Sequence, residues 1–453
     1  MNLGMALTLD ALFVISSAWC LWLVSERSIF NPSFWWLAMH AYTVTFRLVT
    51  LNLGVESLPL LGIRSDTELV NAAIASDISL IGVMAATLLV AHQAQRNQQL
   101  HRETGGNSTP LDPFLGQIIS VLCLVIGTYA LLKFGYVSTA LKARGQDISA
   151  IDIGRLEESA YPIVIAGFAM QGAILQLALR GFNFWRTALF AALLTLSSIN
   201  LERSAFVLGL LLAFLVYQTW RNQNNIPPKA VPVLIALALV WFVFKPVANA
   251  IRSGSSISEA IASGNDYFHD SLRTQSLGDL EFFDMQASYM AASDEAGKRF
   301  YGATLLPLLY IPIPRFTWPD KPRMNDWELE LSSSQRPFYY GAVPTFSGES
   351  YVNFGWFGCA VLPFLYIFLM QAGYDRVRAH STISSGRFLY LVFLVSMIQV
   401  YRDGLESIFT YPFITYLPLT VAALISMGLS NSIVQRGETL RQAAMHPART
   451  RPI

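Results

Sequence analysis

Residues 69–92 read LVNAAIASDISLIGVMAATLLVAH, twenty-four positions with one carboxylate, Asp77, among small and aliphatic side chains. Each helical residue rises about 1.5 Å, so about 20 apolar residues cross a hydrocarbon core about 30 Å thick. In this segment the backbone groups bond to one another, and the side chains need no water. The same pattern recurs along the chain, at about 3–24, 34–55, 114–136, 160–180, 184–199, 204–220, 231–247, 351–371, 388–402 and 408–429. The expectation is therefore an all-α polytopic membrane protein with about eleven spans.

Composition agrees. Of 453 residues, 53% are hydrophobic and 13% charged, against roughly 25% charged in soluble domains. Such a chain has too few charges to cover a soluble surface and too much apolar content for disorder. Cys20, Cys123 and Cys359 form no CxxC pair and read as buried apolar groups. A net charge of +1 offers no basic field for nucleic acid. The first apolar run lacks a basic flank and a cleavage site, and reads as a retained helix.

Lys and Arg in alternate short loops set the orientation. Arg27, Arg96, Arg102, Arg180, Arg186, Arg221, Lys229, Arg376, Arg378, Arg387 and the arginines of the tail fall on one face if the N-terminus is periplasmic and the C-terminus cytoplasmic. Arg64, Lys142, Arg144, Arg155, Arg203 and Arg402 remain on the other face. The organisation expected is an N-terminal bundle over 1–247 with about eight spans, a large partly helical periplasmic loop over 248–350, about three further spans over 351–429, and a polar cytoplasmic tail over 430–453. Within the loop, residues 279–296 read as a helix capped by Asp279 and stopped by Gly297. Residues 303–314 are apolar, too short to span and broken by prolines, which suits a re-entrant or interfacial segment.

No GxGxxG, Walker A, HExxH, GxSxG or DxD motif is present, and the six His are scattered. Neither a nucleotide, another cofactor nor a metal is expected. What remains is a basic set at the outer membrane edge: Arg203, Arg402, Arg315, Lys321, Arg323, Arg252 and Arg273. Arginine suits phosphate because its planar fork stays charged and donates paired hydrogen bonds. The loop is acidic overall, so ion pairing is the competing reading for Arg273, Arg299 and Arg336. Arg203 and Arg402 end or interrupt apolar runs, where charge is costly and so a functional candidate; neutralisation by Glu202, Asp403 or Glu406 is the alternative. Arg47 and Asp77, inside neighbouring spans, read as an intramembrane ion pair, and Lys133 and Lys245 as snorkelling side chains. Glu349 is a candidate general base, and Tyr351 and Asn353 are candidate sugar ligands; the alternative is a helix start with Tyr351 and Trp356 in an aromatic belt.

Four stretches carry a resemblance: Pro344-Thr345-x-x-Gly348-Glu349-x-Tyr351-x-Asn353-Phe354-Gly355; the run from Ile311 to Pro322; Glu202-Arg203-Ser204-Ala205; and Arg402-Asp403-Gly404-Leu405-Glu406-Ser407. In order and spacing they resemble bacterial oligosaccharide repeat-unit polymerases of the Wzy type, which serve O-antigen, enterobacterial common antigen and exopolysaccharide synthesis. Elsewhere the match is one of hydropathy alone. The resemblance implies a GT-C-like glycosyltransferase of the bacterial inner membrane. It would transfer a growing glycan from undecaprenyl diphosphate to a lipid-linked repeat unit at the periplasmic face, alongside a chain-length regulator. By position it implies diphosphate binding by Arg203, Arg402 and Arg315, and a base at Glu349, Asp403 or Glu406. An O-antigen ligase and a lipid-linked glycan transporter or flippase are the rival readings.

Overall fold

The computed structural model describes residues 2–24, 28–54, 62–101, 110–143, 150–200, 203–225, 281–310, 313, 317–322, 326–332, 343–378 and 383–429. Among these the chain is almost entirely helical, as the apolar runs require. The helices are α1 (Leu3–Val24), α2 (Pro32–His40), α3 (Phe46–Asn52), α4 (Asp66–His101), α5 (Pro113–Ala143), α6 (Ala150–Arg180), α7 (Phe184–Asn200) and α8 (Arg203–Trp220). Then come α9 (Glu281–Glu295), α10 (Pro307–Tyr310), α11 (Asp326–Leu331), α12 (Thr345–Val377), α13 (Ser385–Asp403) and α14 (Ser407–Thr410), and finally α15 (Leu417–Leu429).

Among the described residues, four helices are long and apolar enough to cross a bilayer: α1, α4 over Asp66–Ala94, α5 over Pro113–Lys133, and α12. A fifth candidate is the pair Ser407–Thr415 and Leu417–Leu429, which bends by 80°. The run read as one straight span over 408–429 is thus broken, with a π-helical turn over Tyr411–Thr415 at the bend. Shorter apolar helices lie over Val164–Arg180, Phe184–Ser197 and Val207–Trp220. The expected span at 231–247, Lys245, the Asp279 cap and the tail after 429 lie outside the described residues.

Local chemistry explains the boundaries. Asn31 caps α2, its Oδ1 accepting from the Ser33 N–H at 2.9 Å, with Pro32 at the first helical position. A π-helical turn, Ala41–Thr45, carries α2 into α3. Gly297, with φ 58°, follows α9 as expected of a helix stop. The helix read as starting at 351 begins at Thr345, and it is kinked at Gly355 (φ 61°, ψ −151°).

The core forms where α2, α12 and α13 meet. Trp36 is fully buried, with ring centroids of Phe346 at 5.2 Å and Tyr401 at 5.0 Å, both edge-on. The long α4 crosses α12 so closely at Gly82 that a Cβ there would lie 2.3 Å from the Ala360 carbonyl oxygen; only glycine admits that approach. By contrast α1 has 17% of its apolar window buried, as expected of a helix facing lipid.

Polar contacts tie the helices together, among them Ser33 to Thr87, Gln286 to Ser76 and Ser347 to Ser79. Arg47 grips Asp284 of α9 through Nε at 2.9 Å and Nη2 at 2.7 Å. Asp77 instead faces His40, whose Nε2 is 3.6 Å from Asp77 Oδ1. The ion pair expected between Arg47 and Asp77 is therefore not formed: the loop helix α9 brings a better-placed carboxylate to the guanidinium.

Candidate functional site

The first turns of α12 place Glu349 at a junction of three segments. Its side chain is buried. Oε1 accepts from the Thr304 hydroxyl at 2.6 Å and Oε2 from the Leu405 N–H at 2.6 Å. One carboxylate thus ties α12 to the 302–305 turn and to the turn between α13 and α14. Gly404 makes the contact feasible. Its φ is +100°, and a Cβ there would stand 2.2 Å from Glu349 Oε2, so both the backbone and the space demand glycine.

Asn353, one turn on, reinforces the same junction. Its Nδ2 donates to Thr304 Oγ1 and to the Glu349 carbonyl, each at 2.9 Å, and its Oδ1 accepts from the Gly302 N–H at 2.7 Å. These bonds use the amide's donors and face its acceptor. Tyr351 is likewise engaged, its hydroxyl donating to Asp294 Oδ2 at 2.9 Å while the Arg299 guanidinium lies 4.8 Å from its ring. Among the described residues, then, Asn353 and Tyr351 are engaged in hydrogen bonds within the protein, and Glu349, the candidate base, is buried and clamps two turns to α12. The cause is that α12 begins six residues before the expected start, which pulls this stretch into the protein.

The groups left near the surface lie in the turn that Glu349 holds. Arg402 ends α13 with its side chain 33% exposed and its Nε 3.3 Å from Asp403 Oδ1. Its guanidinium carbon stands 4.5 Å from the Phe282 ring centroid, a cation–π contact that fixes the plane of the fork. The Tyr411 hydroxyl points to Asp403 Oδ2 at 3.4 Å. Glu406 is half-buried, and its carboxyl is pushed well above the usual carboxylate range, first by burial and then by the charges of Glu349, Glu328 and Asp403.

A few residues further along the chain lies an apolar cavity of about 490 Å³, lined by Gly302 and the leucines at 305, 306, 308 and 309, and by Phe409, Thr410, Phe413 and Ile414. Residues 303–310 form a 3₁₀ turn and the short helix α10, with Leu306 and Leu309 exposed. Thr304, which holds Glu349, immediately precedes the cavity wall at Leu305.

The other residues selected from sequence are scattered. Arg203 opens α8; Arg252, Arg273, Arg315, Arg323 and Arg336 lie outside the described residues. Asn224, just beyond the far end of α8, lines a cleft with Arg387 at the start of α13. Arg203 thus lies at the opposite end of α8 from that cleft, and Arg402 at the opposite end of α13. Lys321 donates to the Ile313 carbonyl at 3.0 Å. Arg299 is held by Asp294, the ion-pair reading.

Sequence reasoning missed Thr304, Phe282 and the paired walls of the cavity, whose contacts join segments about fifty to over a hundred residues apart. It also passed over Gly404, although a glycine between Asp403 and Leu405, at the end of an apolar run, is a recognisable stop signal. No family model, curated protein or solved structure matches the chain.

Proposed function

We propose that this protein is a glycosyltransferase of the bacterial cytoplasmic membrane that polymerises oligosaccharide repeat units carried on undecaprenyl diphosphate. In this reading about eleven spans form a GT-C-like bundle, with the N-terminus periplasmic, the C-terminus cytoplasmic and the Arg402 end facing the periplasm. One juxtaposition carries the reading: a half-exposed arginine beside carboxylates, on a turn clamped from below, with an apolar cavity a few residues further along the chain. A lipid diphosphate has the complementary parts, an anionic head and a long hydrocarbon tail.

Arg402, with Arg203 from the same end of the bundle, takes the diphosphate, and the leucine- and phenylalanine-walled cavity takes the adjoining isoprene units. As the guanidinium shifts toward phosphate, Asp403 is released from it. Its carboxylate then removes the proton from the acceptor hydroxyl while that oxygen attacks the sugar C1, and the C1–O bond to diphosphate breaks. The arginines stabilise the charge that builds on the leaving group. Glu406, pushed toward its protonated form, is the rival for the proton-handling role. Glu349 and Asn353 act on the reaction by positioning the turn.

The test is Arg402→Ala in the producing cell. The variant is expected to reach the membrane at normal levels while surface glycan collapses to single repeat units. Normal-length polymer would overturn the reading. Long polymer retained on the carrier lipid would indicate a ligase instead, and loss of even single units from the surface a transporter.

A further inference from the structure

A second polar cluster lies inside the helices, away from the Arg402 turn. Asp10 comes from α1, His40 from the end of α2 and Asp77 from α4. His40 Nε2 stands 2.8 Å from Asp10 Oδ1 and 3.6 Å from Asp77 Oδ1. All three are buried, with exposures of 0%, 1% and 6% in the order Asp10, His40, Asp77. Their polar atoms are not satisfied: Asp10 Oδ2, His40 Nδ1 and Asp77 Oδ1 have no hydrogen-bond partner, although Asp77 Oδ1 is aimed at the imidazole.

Charge makes the arrangement expensive as it stands. Two carboxylates outnumber one imidazole in either protonation state of the histidine. Arg47, two turns beyond His40, is committed to Asp284 by its bidentate fork. Buried carboxylates are ordinarily paired with a cation or bound to a metal. Ligand atoms from the three side chains lie within 4.8 Å of one another, wider than a closed coordination shell but within a side-chain torsion of one, given metal–ligand distances of about 2.0–2.2 Å.

We propose that Asp10, His40 and Asp77 bind one divalent transition-metal cation, with water completing its shell. One imidazole nitrogen and two carboxylate oxygens, with no thiolate, select the borderline-to-hard ions Zn²⁺ and Mn²⁺ over Cu⁺. The cation supplies the missing positive charge and ties lipid-facing α1 to α2 and α4. It sits behind Trp36, whose ring meets Phe346 and Tyr401, and so supports the helices that carry Glu349 and Arg402. The assignment stands apart from the reading of the Arg402 turn, and each can fail without the other.

The experiment uses the full chain in detergent, purified without a histidine tag, stripped with chelator, loaded with ZnCl2 or MnCl2 and desalted. Metal is counted by mass spectrometry, and thermal unfolding is followed with and without it. The wild type is expected to retain one metal per chain, and to melt higher with metal present, a shift that chelator reverses because only the folded chain binds. His40→Ala and Asp77→Asn are expected to lose at least about tenfold in bound metal. Asp77→Asn keeps the side-chain shape and covers the case in which the histidine variant does not fold. A wild type that retains neither ion and shows no thermal shift overturns the proposal, as does retention of equal metal by folded variants.

Discussion

Arg47 and Arg402 each hold an aspartate, under opposite conditions. The Arg47 side chain is 7% exposed, its partner Asp284 is fully buried, and two N–H groups meet the two carboxylate oxygens. The Arg402 side chain is 33% exposed, with a longer contact to Asp403 of 3.3 Å. In the first pair the charges are neutralised and the geometry is saturated, so the pair joins α9 to the helix that follows α2. In the second the guanidinium is partly exposed and lies beside the Phe282 ring. Sequence alone marks both arginines as costly charges beside apolar runs. The difference shows that such charges are placed in two ways, sealed against a carboxylate from a distant segment or kept partly exposed at the end of a helix.

The sharpest way to break this contrast is substitution of both. Arg47→Ala leaves Asp284 buried and unpaired, and is expected to destabilise by about 3–5 kcal/mol, read as loss of folded protein or a large fall in Tm in detergent. Arg402→Ala is expected to change stability by no more than about 1 kcal/mol while abolishing polymer extension. A large fold defect at Arg402, or none at Arg47, would erase the distinction. Gly404→Ala comes next. The added methyl meets Glu349 Oε2 in a left-handed backbone position, costing about 1–3 kcal/mol, and is expected to lower activity as Glu349→Ala does, because both release the turn. Full activity in Gly404→Ala would show that the clamp is dispensable.

Smaller effects sharpen the picture. Asn353→Ala removes bonds to Thr304 and Gly302 and is expected to cost about 1–3 kcal/mol, with apparent substrate affinity falling less than turnover if the residue only positions. A selective loss of affinity would return Asn353 to the sugar-ligand role. The smallest effect is one of pH. The Glu406 carboxyl binds its proton more tightly folded than unfolded, so its contribution favours folding below the ordinary glutamate value of about 4.3 and is lost as pH rises through the higher folded value. Glu406→Gln is therefore expected to melt above the wild type at pH 8 and with it near pH 4. Parallel curves across that range would place Glu406 in water.

Much of the helical content is legible in apolar run length alone, and so is the stop at Gly297. The rest is hidden for physical reasons. The run at 408–429 bends by 80° although its hydropathy is continuous; hydropathy alone does not weigh Pro412 and Pro418, which flank the bend. Glu349 reads as a candidate base, but nothing local reports that Thr304 and Leu405 close on it. Asp10 and His40 lie inside apolar runs, and the same rule that singles out Asp77 applies to them. Periodicity does not reveal that the three converge.

The amino-acid order by itself determined that this chain is helical and membrane-embedded, since apolar length and backbone hydrogen bonding depend only on neighbours along the chain. It also marked the ionisable residues that a membrane tolerates only for a reason. Which carboxylate meets which cation, which glutamate is a clamp, and where an apolar hollow opens between the 302–309 and 409–414 segments were decided by tertiary packing alone, because those pairings join segments as much as 237 residues apart and depend on how helices cross.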